Sequence, residues 1–366
     1  MDYKHSINRQ NLNAVARAAD DLRRGQCVVI HGEAQSFVVL SAQCANPDNI
    51  KIFDSLNQDN GFFIVTHHRA KALKIAAEDW LTVRIERPNW MTAPDMEALA
   101  DPTLDLDVPF KGPFFRQISD NQNIDAAIVA LLKIAQLLPA ALVKKVDAVA
   151  FKNDFLCVDE SMITTYQETI THDLVEMAQA KVPLLDAIET RLISYRSPTG
   201  GPEHIAIVIG NPSPDTPVLT RLHSECFTGD LLASLKCDCG DQLRGAINAI
   251  EKAGGGILLY LAQEGRGIGL ISKLKAYSLQ EDGYDTVDAN LRLGFNVDER
   301  LFAPAATILK KLGFTTIKLM TNNPQKVLGL EAAGIKISDR VAHAMPTNPH
   351  NADYLSVKKS KSGHLI

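Results

Sequence analysis

The sequence predicts an α/β (α+β) protein of two domains, each a mixed sheet with packed helices. Three observations carry that expectation. The chain has 366 residues, more than one hydrophobic core usually organises. Its second half alternates short apolar runs with longer stretches ended by glycine, the pattern of strands alternating with helices. Its first half holds apolar runs of strand length, CVVI (27–30), FVVL (37–40) and FFIVT (62–66), between segments of helical period.

In chain order, apolar residues at helical spacing predict a first helix over 12–22, and the three strand-like runs follow. Prolines and acidic residues dominate 88–112 and predict irregular structure. The stretch 124–138 is strongly apolar and predicts a buried helix. A helix over 173–181 sets the expected border near residue 180, giving domains 1–180 and 181–366. Beyond it, HIAIVIG (204–210) holds a strand over 205–209 between Gly/Pro-rich turns. ILLYLA (257–262) reads as a buried strand after Gly254, Gly255 and Gly256, followed by the loop QEGRGIG and a helix ending at Gly283. A helix over 304–312, a strand TIKLM (316–320), a turn TNNP, a helix ended by Gly334 and a last strand over 335–341 complete the order. There is no internal repeat and no low-complexity tract.

Hydrophobic content of 46% and charged content of 22% are those of a soluble globular protein. A net charge of −5 argues against a general nucleic-acid binder but leaves room for a local basic pocket that takes a phosphorylated small molecule. No apolar run reaches the length of a membrane span, and the N-terminus lacks a signal-peptide core, so the expected location is cytoplasmic. Of six cysteines, Cys27, Cys44 and Cys157 are scattered among apolar neighbours and read as small buried hydrophobes. In a reducing compartment the clustered remainder reads as metal-binding or catalytic.

That remainder is Cys226, Cys237 and Cys239, a C-x10-C-x-C pattern in RLHSECFTGDLLASLKCDCGDQL. Three thiolates hold a zinc ion and leave its fourth position open, the mark of a catalytic site. A zinc ion that only staples a loop is the bland alternative, and His223 is a candidate fourth ligand. Residues 263–269, Gln-Glu-Gly-Arg-Gly-Ile-Gly, follow a strand and precede a helix. They fit an anion cradle, or a glycine-rich turn with a surface Glu/Arg pair. Their spacing is a poor match to a dinucleotide fingerprint. Asp298-Glu299-Arg300 precede a helix and by themselves read as a cap. Thr321-Asn322-Asn323-Pro324 with Lys326 lie at a strand end, where α/β sheets bind ligands, or form an Asx turn.

Taken in order, RLHSEC, LKCDCG, QEGRGIGL, AYSLQEDGYDT, DER and TNNPQK resemble GTP cyclohydrolase II over roughly residues 180–366, with YLSVKKSKSGHLI matching that family's C-terminal signature. The resemblance implies zinc on Cys226, Cys237 and Cys239. It implies GTP contacts at Arg221, Leu222, His223, Ser224, Glu225, Gln242, Glu264, Gly265, Arg266, Thr286, Thr321 and Lys326. It makes Asp298 a proton acceptor, Arg300 a nucleophile towards the α-phosphate, and Tyr277 a residue beside the purine that goes with full ring opening. It implies a homodimer, and the charge on the triphosphate calls for Mg2+; the net charge and the absence of a long apolar run leave no nucleic-acid partner and no membrane expected. Because a guanidinium stays protonated at ordinary pH, charge stabilisation by Arg300 is the alternative to nucleophilic attack.

Residues 11–80 faintly resemble the start of 3,4-dihydroxy-2-butanone 4-phosphate synthase, which is fused ahead of this enzyme in many bacteria. The acidic run that such a synthase needs reads HGEAQSFVV here, with Glu33 as its one carboxylate, and the histidine-threonine substrate loop is not recognisable. The first 180 residues are therefore expected to be a degenerate, inactive synthase-like domain. His67 and His68, read as neighbours in an extended segment, would face opposite ways and share no ion. The competing readings are a GTP-binding regulatory or scaffold pseudoenzyme, a bifunctional enzyme active in both halves, and a cyclohydrolase that stops at the formamide.

Overall fold

The computed structural model describes residues 3–75, 80–109, 111–147 and 154–343. The C-terminal stretch YLSVKKSKSGHLI lies outside the described residues.

The elements run α1 (Tyr3–Arg23), β1 (Val28–His31), β2 (Ser36–Ser41), α2 (Pro47–Ser55), β3 (Phe62–Thr66), α3 (His67–Ala72), β4 (Thr82–Glu86), α4 (Ala93–Ala100), β5 (Arg116–Gln117), α5 (Gln122–Ile134), β6 (Ala140–Val146), β7 (Leu156–Asp159), α6 (Glu160–His172), β8 (Val175–Lys181), β9 (Thr190–Ser197), β10 (Gly200–Ile209), β11 (Val218–Ser224), α7 (Cys239–Lys252), β12 (Gly256–Leu261), α8 (Gly269–Glu281), α9 (Thr286–Arg292), α10 (Ala303–Lys311), β13 (Thr316–Met320), α11 (Pro324–Ala332) and β14 (Lys336–Val341). They gather into two compact units. One comprises Met1–Gln167 with Ile271–Val297, and the other Glu168–Leu270 with Asp298–Ile366.

The first unit is a seven-stranded sheet in the order β5-β4-β3-β6-β2-β1-β7, antiparallel except for the parallel pair β1/β7. Strands β2 and β3 are buried nearly throughout, so they read as continuous apolar runs rather than alternating ones. α5 lays Ile124, Ile128, Leu131 and Leu132 into the core. Its start is fixed by Asn121, whose side chain accepts from the Asn123 and Ile124 amides, satisfying donors that a helix end leaves free. Beside those apolar residues, Asp125 takes a two-point contact from buried Arg84 of β4, at 2.8 Å from Nε and 2.8 Å from Nη2. The Arg84 guanidinium also reaches Asp120 at 2.7 Å and lies 4.7 Å from the Phe62 ring centre. The segment Ile271–Val297 is tied in by ion pairs from Lys275 to Asp101 and from Arg292 to Asp105 at 3.1 Å. Asp105 also receives Arg69 and Lys111.

The second unit is a seven-stranded sheet in the order β14-β13-β11-β12-β10-β9-β8. It is parallel from β14 to β12 and antiparallel from β12 to β8. Ile308, Leu309 and Leu330 of α10 and α11 cover one face against Leu222, Ile257, Leu259, Ile317 and Leu319. Ala246 and Ile250 of α7 cover the other, against Ile209, Leu258 and Met320. The mixed-sheet, two-unit architecture matches the fold class expected from the sequence.

Four local expectations need correction. Residues 173–181 are not a helix: α6 stops at His172 and Val175–Lys181 form the edge strand β8, exposed along its whole length. VEMAQAK is rich in helix formers, and its pairing with β9 overrides that propensity. Residues 88–112 are not all irregular, since α4 occupies Ala93–Ala100, started by a Thr92/Asp95 capping box and a proline in its first turn. The helix expected to reach 138 ends at Ile134, and Gln136 takes a left-handed φ of 55°. His67 and His68 open helix α3 rather than lying in an extended run, with ring centres 5.7 Å apart.

Candidate active site

β11 ends at Ser224 and delivers Cys226 into a wide turn, Phe227–Leu231. Cys237 follows, and Cys239 opens α7. The three sulfur atoms all lie within 4.8 Å of one another, and the Sγ atoms of Cys226 and Cys237 are 3.7 Å apart. Glycine makes this convergence sterically feasible. A Cβ at Gly229 would stand 2.8 Å from Cys237 Sγ, 2.9 Å from Cys239 Cβ and 3.0 Å from Cys226 Sγ. A Cβ at Gly240 would stand 2.2 Å from the Gly229 carbonyl oxygen. The two segments therefore lie backbone to backbone around the thiols.

Hydrogen bonding with Cys226 together with burial pushes the Cys237 thiol up to about 11, and the same crowding pushes Cys239 well above its ordinary value. Three thiols this close resist ionising together unless a cation joins them. The donor set, three soft sulfurs and no carboxylate, fits a zinc-type ion. Among the described residues this is the one such cluster of His, Cys, Asp or Glu. His223, the candidate fourth ligand, instead places Nε2 3.0 Å from both carboxylate oxygens of Asp230.

Around the cluster lie cationic side chains. Arg221 on β11 is buried, donating from Nη1 to the Met320 carbonyl at 3.0 Å and from Nη2 to Gln242 Oε1. Gln242 in turn donates to Asp238 at 2.5 Å. Burial lowers the Arg221 guanidinium to about 10, so it remains a cation at neutral pH. Lys326 of α11 reaches the Leu222 carbonyl at 2.7 Å. The Leu222 side chain itself lies in the core. Thr321 Oγ1 accepts the Asn323 amide at 3.0 Å, and the Asn323 side chain caps α11 by accepting from Gln325. The Asx-turn reading thus describes Asn323. Asn322 binds both backbone polar groups of His343.

The glycine loop is wound left-handed. Gly265, Arg266, Gly267 and Gly269 have φ of 62°, 61°, 92° and 84°, a region open to glycine and costly for arginine. The strain at Arg266 is of the kind that collects at functional sites. Glu264 accepts the Phe227 amide at 2.5 Å, linking this loop to the cysteine turn. Glu299 N–H donates to the Arg266 carbonyl at 3.1 Å, and Gln263 Nε2 donates to the Leu301 carbonyl at 2.7 Å. Asp298 and Arg300 form a two-point ion pair at 2.8 and 2.5 Å. Burial alone would raise the Asp298 carboxyl, but Arg300, with Arg266 beyond it, holds it below the usual carboxylate range. The capping reading of Asp298 is corrected: α10 starts at Ala303 behind Phe302, and Asp298 bonds Arg300 instead.

Three buried polar atoms here, Arg221 Nε, Ser224 Oγ and Gln263 Oε1, have no hydrogen-bond partner in the protein. Buried polar atoms are nearly always paired, so each of these three has hydrogen-bonding capacity for a polar ligand or an ordered water. Tyr277 and Thr286, on α8 and α9, belong to the segment Ile271–Val297 of the first unit. There Gln280 donates to Thr286 Oγ1 at 3.3 Å. Asp230, Tyr260 and His343 carry no spacing signal in the sequence, and their parts in the site emerge only from the fold.

Convergent thiols beside fixed cations mark a candidate site for a metal ion and an anionic substrate, and the comparisons with known proteins agree with that class. The family model for GTP cyclohydrolase II matches residues 175–342. A GTP cyclohydrolase-2 of Azospirillum brasilense is 44% identical over 363 residues, covering 97% of this chain and 94% of its own. The chain belongs to the GTP cyclohydrolase II family and is an enzyme of that family. A riboflavin biosynthesis protein RibBA of Chlorobium phaeovibrioides is 54% identical over 178 residues, 49% of this chain and 43% of its own. Among solved structures, RibBX, a two-domain 3,4-dihydroxy-2-butanone 4-phosphate synthase from A. baumannii, aligns over 90% of this chain and 99% of its own, at 15% identity and a TM-score of 0.33.

Proposed function

We propose that this enzyme hydrolyses GTP to 2,5-diamino-6-(5-phosphoribosylamino)pyrimidin-4(3H)-one, formate and pyrophosphate, a step of riboflavin biosynthesis. The observation that carries the reading is the three-thiol cluster packed around Gly229. Cys226, Cys237 and Cys239 would hold zinc, which as a Lewis acid supplies a hydrolytic nucleophile at neutral pH. Arg221, Arg266, Arg300 and Lys326 provide the positive field for the triphosphate, the local basicity that the net charge of −5 conceals. Mg2+ accompanies the phosphates as their counter-charge.

The Asp298–Arg300 pair divides the remaining work. Asp298 is held anionic and serves as proton acceptor. Arg300, clasped at two points, is a fixed cation that stabilises charge developing at phosphorus, and its protonation disfavours attack by its own nitrogen. Arg221, Leu222, His223, Ser224, Glu225, Gln242, Glu264, Gly265, Arg266, Thr286, Thr321 and Lys326 are the GTP-contacting positions that the family resemblance implies, with Tyr277 beside the purine. Exposed Leu231, Leu232 and Leu235 offer apolar surface to the homodimer that the family implies.

The first half is a degenerate synthase-like domain without synthase activity. Supporting this, the loop after β1 carries Glu33 as its one carboxylate. Gly32 in that loop is hemmed in by Ile124, whose Cδ1 would stand 2.9 Å from an added Cβ, and Asp125 is committed to Arg84.

The test is incubation of the full-length protein with GTP and Mg2+, following formate and pyrophosphate, with zinc content measured in parallel. Equal release of both with about one zinc per chain, and loss of zinc and formate together in Cys237→Ser, supports the reading. GTP binding without formate, or wild-type formate release by zinc-free Cys237→Ser, overturns it. The same full-length protein given ribulose 5-phosphate and Mg2+ should form no butanone phosphate, and formation of it would make the enzyme bifunctional.

A further inference from the structure

We infer that Asp230 is a positioning residue that fixes Cys226 for metal binding, an inference that rests on reading the three cysteines as metal ligands. Both backbone polar groups of Cys226 bond to this one residue. The Cys226 amide donates to Asp230 Oδ2 at 3.0 Å, and the Asp230 amide donates back to the Cys226 carbonyl at 2.7 Å. The same carboxylate takes the Tyr260 hydroxyl at 3.0 Å and His223 Nε2 at 3.0 Å. His223 and Tyr260 are register partners on the adjacent parallel strands β11 and β12, and their rings stack with centres 5.5 Å apart. Cys226 is thus bolted through one carboxylate to two strands in the middle of the sheet.

The chemistry of the donors explains why the residue is an aspartate. A carboxylate is an acceptor at both oxygens, and here it faces an amide N–H, a phenol and an imidazole nitrogen. Asparagine would leave a single neutral oxygen for the Cys226 amide and the Tyr260 hydroxyl and force His223 to accept at Nε2, weakening the charge-assisted bonds to Cys226. The carboxylate is nearly sealed from solvent, 7% exposed, with His223 at 4%, so its bonds are not exchanged for water. Groups that orient a metal ligand in this way act on affinity and ligand-field geometry as well as on stability.

The test uses the full-length protein, stripped of metal and reloaded with Co2+, whose visible spectrum reports the sulfur coordination. Cobalt affinity is measured by competition with a chromophoric chelator, and release is timed after chelator addition. Asp230→Asn should weaken cobalt binding about 10–100-fold and shift its absorption bands. Tyr260→Phe, which removes one hydroxyl and preserves the ring stack, should accelerate release in the same direction by a smaller factor. Should Asp230→Asn not fold, Tyr260→Phe decides the matter alone. Spectra superimposable on the wild type and unchanged release in the folded variants overturn the inference. Cys237→Ser separates the two levels: if it too binds cobalt normally, the metal reading fails. If it loses cobalt while the Asp230 and Tyr260 variants do not, only the role of Asp230 fails.

Discussion

Replacing Gly229 by alanine adds one carbon at the point on which the metal-site reading depends. The backbone at Gly229 is not in the left-handed region, so alanine meets no conformational penalty and the effect is steric. The new Cβ would lie 2.8 Å from Cys237 Sγ and 3.0 Å from Cys226 Sγ. Ordinary contact needs about 3.5–4.0 Å, so each sulfur must retreat by roughly 0.5–1.2 Å. Metal–ligand distances hold to about 0.2 Å, several times less than that retreat. We expect Gly229→Ala to lose metal affinity by about 100-fold or more, beyond the range for an outer-sphere change. The assay is metal content after dialysis against a mild chelator, with melting curves with and without added zinc. Zinc should raise the melting temperature of the wild type and leave the variant unmoved, while exposed Leu235→Ala behaves as wild type. A Gly229→Ala protein that retains stoichiometric metal and melts with the same zinc-dependent shift would refute the assignment of the three thiols.

Arg300→Ala should retain zinc yet slow pyrophosphate release by about 100-fold, the scale for removing one preorganised charge stabiliser. Unchanged pyrophosphate kinetics would take Arg300 out of the mechanism. His204 is buried and accepts the Ala262 amide, and burial lowers its imidazole from 6.5 to about 4. On acidification the unfolded chain binds its proton first, so stability present above the unfolded pKa is lost as pH falls from about 6.5 towards 4, by about 2 kcal/mol at pH 5. Urea denaturation of wild type and His204→Gln at pH 7 and pH 5 measures this, and an equal acid sensitivity in both proteins would contradict it. In the first unit, Asp125→Ala leaves Arg84 buried beside the apolar core, and the expected cost is about 3–5 kcal/mol. A loss below about 1 kcal/mol in urea would show that Asp120 alone satisfies Arg84.

What the sequence disclosed of the site follows from the range of each interaction. The cysteine spacing and the glycine loop are local patterns, and the fold brings the three thiols together and winds the loop left-handed. Asp298 was misread by a local rule, because a carboxylate ahead of a helix normally caps it and only the coordinates show Arg300 two residues on taking both its oxygens. Asp230 was passed over because one carboxylate in FTGD has no periodicity. Its partners Tyr260 and His223 lie 30 and 7 residues away. Strand β8 was misassigned since an edge strand exposed on both faces lacks the alternation that betrays a strand. The Arg84–Asp125 pair spans 41 residues, a separation that no sequence window can bridge.

The segment Ile271–Val297 sits in the sequence inside the second half but packs with the first. An added Cβ at Gly294 would stand 2.8 Å from Pro139 and 3.0 Å from Thr66 Oγ1, and Leu293 and Phe295 are buried. Severing the chain at residue 180 would therefore take Asp101 from Lys275 and Asp105 from Arg292, and would bare the apolar side of two helices. The first half is therefore bound to the second by the chain itself, which threads two helices into the first unit and returns.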